Sequence, residues 1–111
     1  MRDFLEQPHY LLVRIFVRED EELEGEKLYS KILKLLKSKG VGGATVLKAI
    51  MGYGITGEYH YEGIEVLSYN LPVVVEFVEK EEKVHSLLEE LTKYVKKGLI
   101  TIERAQVWVS S

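Results

Sequence analysis

Two amphipathic helical stripes set between apolar strand runs constrain this 111-residue chain more than any other feature. The first stripe is Leu28, Ile32, Leu35 and Leu36, spaced i, i+4, i+7 and i+8, which is one face of a helix. Lys37 and Lys39 place positive charge where the helix dipole is negative, and Gly40 suits the left-handed position past the last turn. The second stripe is Val84, Leu87, Leu88, Leu91 and Val95. Glu81 and Glu82 open that helix, and Lys96, Lys97 and Gly98 close it. Around the helices lie strand-like runs. "YLLVRIFVR", residues 10–18, puts Leu11, Val13, Ile15 and Val17 on one face. "ATVLKAIM" (Ala44 to Met51) follows the first helix. "LPVVVEFVE" (Leu71 to Glu79) precedes the second, with Pro72 suited to the start of a strand or to an edge. "LITI" and "AQVWV" finish the chain as strand, with "ER" between them as a bulge or turn. The order is β-α-β-β-α-β. It predicts an α+β, ferredoxin-like fold: a four-stranded antiparallel sheet with two helices on one face and a long loop after the second strand.

That plan leaves the second sheet face uncovered. It carries Leu12, Phe16, Val74 and Val78, with Arg14 and Glu76 among them. Such a face is too apolar to stay wet, so it is expected to pack against other subunits. The chain reads as a single domain over residues 1–111, with residues 1–9 as an N-terminal extension and residues 54–70 as a long loop. That loop, "GITGEYHYEGIEVLSYN", has no helical or strand period. There is no cysteine, so disulfides and thiolate metal sites are excluded. No apolar run approaches the roughly 18–20 residues of a membrane span. The first residues show no signal-peptide core, so a cytoplasmic location without membrane insertion is expected. A net charge of −3 gives no overall pull toward nucleic acid.

"GYGITG", Gly52 to Gly57, spells a dinucleotide-binding turn. A Rossmann fingerprint needs a strand before it and a helix after it. The strand is present, but "EYHYEGIEVLSYN" carries no amphipathic stripe and is interrupted by Gly63. The motif is therefore not a Rossmann phosphate loop. His9, His60 and His85 lack metal-ligand spacing. Lys48 sits inside a strand, as edge or interface charge before it is a phosphate contact.

Four strings taken together resemble one family: "GEKLYSKI", "GVGGATVLKAIMGYG", "LSYNLPVVVEFVEKEEKV" and "GLITIERAQV". The resemblance is to the family of uncharacterised proteins known as domain of unknown function 190, of the UPF0166 type, whose members look like the PII signalling proteins. It runs from about Tyr10 to Val109. It implies a homotrimer with sheets lining the centre, a nucleotide cleft between neighbouring subunits, and the 54–70 loop as readout. Gly43, Ala44 and Thr45 resemble the segment lining the base pocket. Gly52, Tyr53 and Gly54 resemble the hinge of the signalling loop. Glu76, Phe77 and Val78 resemble the strand whose backbone reads the adenine edge. Lys96, Lys97 and Gly98 sit where PII proteins carry their phosphate-binding turn. That turn is shorter here, Ile55 stands where PII proteins often have arginine, and the chain ends "VWVSS" in place of arginines. Fewer cations favour AMP or ADP over ATP as the ligand.

The family context also associates such proteins with ion transport, fluoride export in particular, which makes a membrane transport protein the expected regulatory target. An alternative is a metal-binding trimer of the ion-tolerance type, with Glu58, His60 and Glu62 as ligands. An acylphosphatase-like enzyme shares the fold plan. The acidic "EDEELEGE" replaces the arginine-bearing glycine loop that such an enzyme needs after its first strand, so no enzymatic activity is expected.

Overall fold

The computed structural model describes residues 9–52 and 71–108. Its elements, in chain order, are β1 (Tyr10–Arg18), β2 (Glu22–Leu23), β3 (Glu26–Lys27), α1 (Leu28–Ser38), β4 (Thr45–Lys48), β5 (Pro72–Lys80), α2 (Glu81–Tyr94) and β6 (Leu99–Ala105). Four strands form one antiparallel sheet in the order β4-β5-β1-β6. This is the ferredoxin-like arrangement that the helix and strand order predicts. The expected loop over residues 54–70 and residues 1–8 of the N-terminal extension lie outside the described residues.

Strict alternation in β1 builds the core. Val13, Ile15 and Val17 are fully buried and Leu11 nearly so. Val73, Val75 and Phe77 of β5 lie beside them, because β1 and β5 pair in register from Tyr10 opposite Lys80 to Arg18 opposite Pro72. Leu28, Ile32 and Leu36 of α1 and Val84, Leu87 and Leu91 of α2 close over this face. Each such side chain contributes roughly 1.5–3 kcal/mol by leaving water.

Helix α1 ends where its sequence directs. Val41 N–H donates to the Leu36 carbonyl at 3.0 Å and Gly40 N–H to the Lys37 carbonyl at 3.1 Å, the Schellman pattern. Gly40 has φ of +81°, a conformation that costs glycine little.

Three elements differ from the expectation. The acidic stretch "EDEELEGE" carries an additional hairpin: β2 and β3 pair around Glu24 and Gly25, with φ values of 55° and 81°. Positive φ at both central residues is what a two-residue hairpin turn needs. Lys31 and Lys34 of α1 form ion pairs with Glu24 and Glu26 of this hairpin. The second main strand, β4, is only Thr45–Lys48, and it stops short of Met51. The last strand runs unbroken through Glu103 and Arg104 in register with β1, so "ER" is neither bulge nor turn, and regular strand ends at Ala105.

Gly98 also has a different cause from the one expected. Helix α2 already ends at Tyr94, with Val95 extended. A Cβ on Gly98 would lie 2.5 Å from the Phe16 carbonyl oxygen and 2.7 Å from Val95 Cγ1. The glycine lets the chain pass against β1 on its way into β6. Replacing Gly98 by alanine is expected to lower the unfolding free energy by about 1–3 kcal/mol, measured by urea titration. A midpoint equal to that of the natural sequence would contradict the close approach.

Candidate functional site

Side chains of even-numbered residues in β1 and β5 turn away from the helices, and pairing sorts the open sheet face into rows. Leu47, Val74, Phe16 and Leu99 form one row across all four strands. Leu47 and Leu99, at its two ends, are 48% and 49% exposed. The next row is Thr45, Glu76, Arg14 and Thr101. Arg14 Nε donates to Glu76 at 3.2 Å and its Nη1 to Glu103 at 2.6 Å, the second bond running diagonally between strands. The bonds to Glu103 and then Glu76 raise the Arg14 pKa above the ordinary guanidinium value. One cation thus holds two carboxylates on a face that is otherwise apolar at its centre.

The strand end next to this face is the informative place. Ala49 N–H donates to the Pro72 carbonyl at 3.0 Å. That bond sets the parity of β5: Val74, Glu76 and Val78 turn backbone N–H and C=O toward β4, as Pro72 does its carbonyl, and the residues between turn theirs toward β1. The β4 ladder begins at Thr45, opposite Glu76. On the β4 side, therefore, no described strand pairs with the backbone of Val78. Val78 offers one N–H and one C=O at an open edge, and its side chain is 41% exposed on the same face. The Gly42–Ala44 segment approaches β4 there without having joined the ladder.

Gly42 and Gly43 in that segment are not demanded by the fold. Neither has positive φ, and a Cβ on either would meet nothing within 4 Å. Both are exposed. A side chain could stand in open space at either position, so packing does not call for glycine there. Gly42 is absent from the expected site. The signal for it was the surplus of "GVGG": Gly40 alone ends α1, which leaves two glycines with no local duty.

The structure brings some of the expected site residues together and separates others. Thr45 lies opposite Glu76, with Gly43 and Ala44 leading into that pair. Ala44 is partly buried against the core. Phe77 belongs to the core, 3% exposed, and its backbone faces β1. Gly52 sits at the other end of β4, where an added Cβ would be 3.5 Å from Pro72 Cγ. Tyr53, Gly54 and the alternative metal ligands Glu58, His60 and Glu62 lie outside the described residues. Among the described residues no group of three or more His, Asp or Glu could hold a metal ion.

Lys96, Lys97 and Gly98 precede β6, at the opposite edge of the sheet from β4. Three strand spacings of roughly 4.8 Å put those edges about 14 Å apart. Within one chain the glycine turn and the two lysines lie toward opposite edges of the sheet. Lys48, read as edge charge, is paired with Glu19, and that hydrogen bond raises its pKa above the ordinary ammonium value. None of the described helices is long and apolar enough to cross a membrane.

Known proteins place these features in context. The model of the family DUF190 (Uncharacterized ACR, COG1993) matches residues 10–107. A UPF0166 protein of Aquifex aeolicus (strain VF5) is 46% identical over 96 residues, covering 86% of this chain and 90% of the relative. UPF0166 protein MJ1524 of Methanocaldococcus jannaschii is 42% identical over 98 residues, covering 87% and 90%. Among solved structures, CPII from Thiomonas intermedia K12, bound to ADP, AMP and acetate, superposes with a TM-score of 0.68 at 17% identity, over 92% of this chain and 91% of that one. B. subtilis GlnK does so with a TM-score of 0.59 at 20% identity, over 87% and 85%. Both structural likenesses speak to the fold.

Because the fold does not need Gly43, its replacement by alanine is expected to leave thermal stability unchanged or to raise it by about 0.4–1 kcal/mol, through a less flexible unfolded chain. Thermal unfolding followed by circular dichroism checks this. A loss above 1 kcal/mol would mean that the position carries strain absent from the described backbone.

Proposed function

This chain belongs to the DUF190 family, and on that premise we propose that it is a PII-like regulatory protein that binds an adenine nucleotide at the junction of β4 and β5. One observation carries the reading. On its β4 side Val78 presents a backbone donor and acceptor that no described strand pairs, next to a segment with two glycines that the fold itself does not require. An adenine has an acceptor, N1, and a donor, the N6 amino group, side by side on one edge. A single extended residue with both backbone groups facing outward can meet that edge. Gly42 and Gly43 leave the space that a ring stacked over the turn would occupy. The adenine nucleotides bound by the Thiomonas CPII protein support the reading by analogy of fold.

The phosphates need cations, and Lys48, at the other end of β4 from Thr45, is already engaged with Glu19. Lys96 and Lys97 lie at the far sheet edge, too distant to serve the same ligand in one chain. A second copy that sets its β6 edge against β4 would bring them in. The open face provides the reason to assemble, since the row Leu47, Val74, Phe16 and Leu99 would leave water on contact. We therefore propose a homotrimer with the ligand in the clefts between subunits. Two lysines are a modest cation supply, which favours AMP or ADP over ATP. Gly52 and the adjoining residues 53 and 54 would form the hinge, and residues 54–70 the readout, with an ion-transport protein as the target on family association alone.

Calorimetric titration of the purified protein with AMP, ADP and ATP tests the ligand. Saturable heat with AMP or ADP is expected, and Gly43→Ala is expected to weaken that affinity at least tenfold while the protein stays folded. No saturable binding of any adenine nucleotide at millimolar concentration would sink the proposal. Phe16→Glu puts a charge in the middle of the apolar row and is expected to shift the protein to monomer in sedimentation. A natural sequence already monomeric at tens of micromolar would remove the inter-subunit cleft.

A further inference from the structure

The glycine turn beside Val78 has an anchor that the expected site does not include. Lys83, in the first turn of α2, extends its ammonium to the Gly40 carbonyl at 2.7 Å. The same Nζ lies 3.5 Å from a Glu79 carboxylate oxygen. Glu79 directly follows Val78 on β5 and its side chain is only 15% exposed. One ammonium therefore bridges the backbone at the start of the Gly40–Ala44 segment and the residue that follows Val78 on β5.

We propose that Lys83 is a positioning residue for the nucleotide base: it holds the glycine turn at a set distance from Val78. The inference rests on the nucleotide reading of the β4–β5 junction. Val41 and Ala44 pack partly against the core at the two ends of the turn, and little else holds the stretch between them. The Schellman bonds end with Val41, and the β4 ladder starts only at Thr45. Between them Gly42 and Gly43 have the widest backbone freedom of any residue. The Lys83 contact at Gly40 sets where that free stretch begins. A helix C-terminus also carries partial negative charge, so an ammonium is favoured there over a neutral donor. Lysine's flexible stem and three donors suit a contact to a carbonyl and a carboxylate at once. Removing the charge would let the turn drift from Val78, and a pair of hydrogen bonds to a base edge tolerates little drift.

The test separates positioning from support of the fold. AMP and inosine monophosphate share sugar and phosphate and differ in the donor and acceptor on the base edge that Val78 would meet. In the natural protein AMP is expected to bind more tightly than inosine monophosphate. In Lys83→Met, which keeps most of the stem, AMP affinity is expected to fall roughly tenfold while inosine monophosphate changes much less, so the ratio moves toward one. Lys83→Arg is expected to restore most of the ratio. A purely structural role would lower the thermal midpoint and weaken both ligands alike, and that result would overturn the proposal, as would a ratio that Lys83→Met leaves unchanged. Gly42→Ala provides a second variant that keeps the ammonium: it narrows the same turn, and the same compression of the ratio is expected without loss of thermal midpoint. If the natural protein binds AMP and the ratio is insensitive to both variants, the positioning role fails while the nucleotide reading stands. If the natural protein binds neither ligand, both fail.

Discussion

The rest of this structure depends on the pairing of β1 with β5. The two strands run antiparallel in register over nine residues each. Their shared period of two sends Val13, Ile15, Val17, Val73 and Val75 under the helices and Leu12, Arg14, Phe16, Val74 and Glu76 to the open side. A slip of one residue would turn over the set of the strand that moved and put Arg14 or Glu76 into the core. The burial of the odd set and the Arg14–Glu76 pair on the other side therefore enforce the same register.

That register also creates the candidate site. Strand β5 is long and β4 is short, so the ladder between them ends early and, beyond Glu76, leaves the β4 side of β5 without a described strand partner. Polar backbone groups at such a place need water or a ligand. The parity of β5 means that Val78, and not its core-facing neighbour Phe77, offers its groups there. A site built this way works through backbone groups and not through a reactive side chain.

Much of this was legible in the linear chain. The odd-residue face of β1, the stripes of both helices and the glycine end of α1 all follow from spacing, because a period of two or 3.6 marks which side chains share a face. The resemblance of "GGATV" and "LPVVVEFV" to one family was equally legible, and it set the expected site. Local patterns could not give the length of β4. "ATVLKAIM" is apolar throughout, and nothing in it marks Lys48 as the last paired residue. They also misassigned Gly98. As a letter it resembles a helix terminator, yet its reason is the Phe16 carbonyl, more than eighty residues away in the chain. The hairpin of β2 and β3 carried a signal in "LEGE" that its acidic composition obscured.

By itself the sequence determined the order of elements, the buried face of each and the family, because these are set by side-chain periodicity and by strings of neighbouring residues. Only the tertiary structure decided where the ladder stops, which backbone groups stay open, that Gly42 and Gly43 are free of any packing duty, and that Lys83 reaches Gly40. Those features depend on the distance between segments brought together by the sheet, and spacing along the chain carries no information about distance across it.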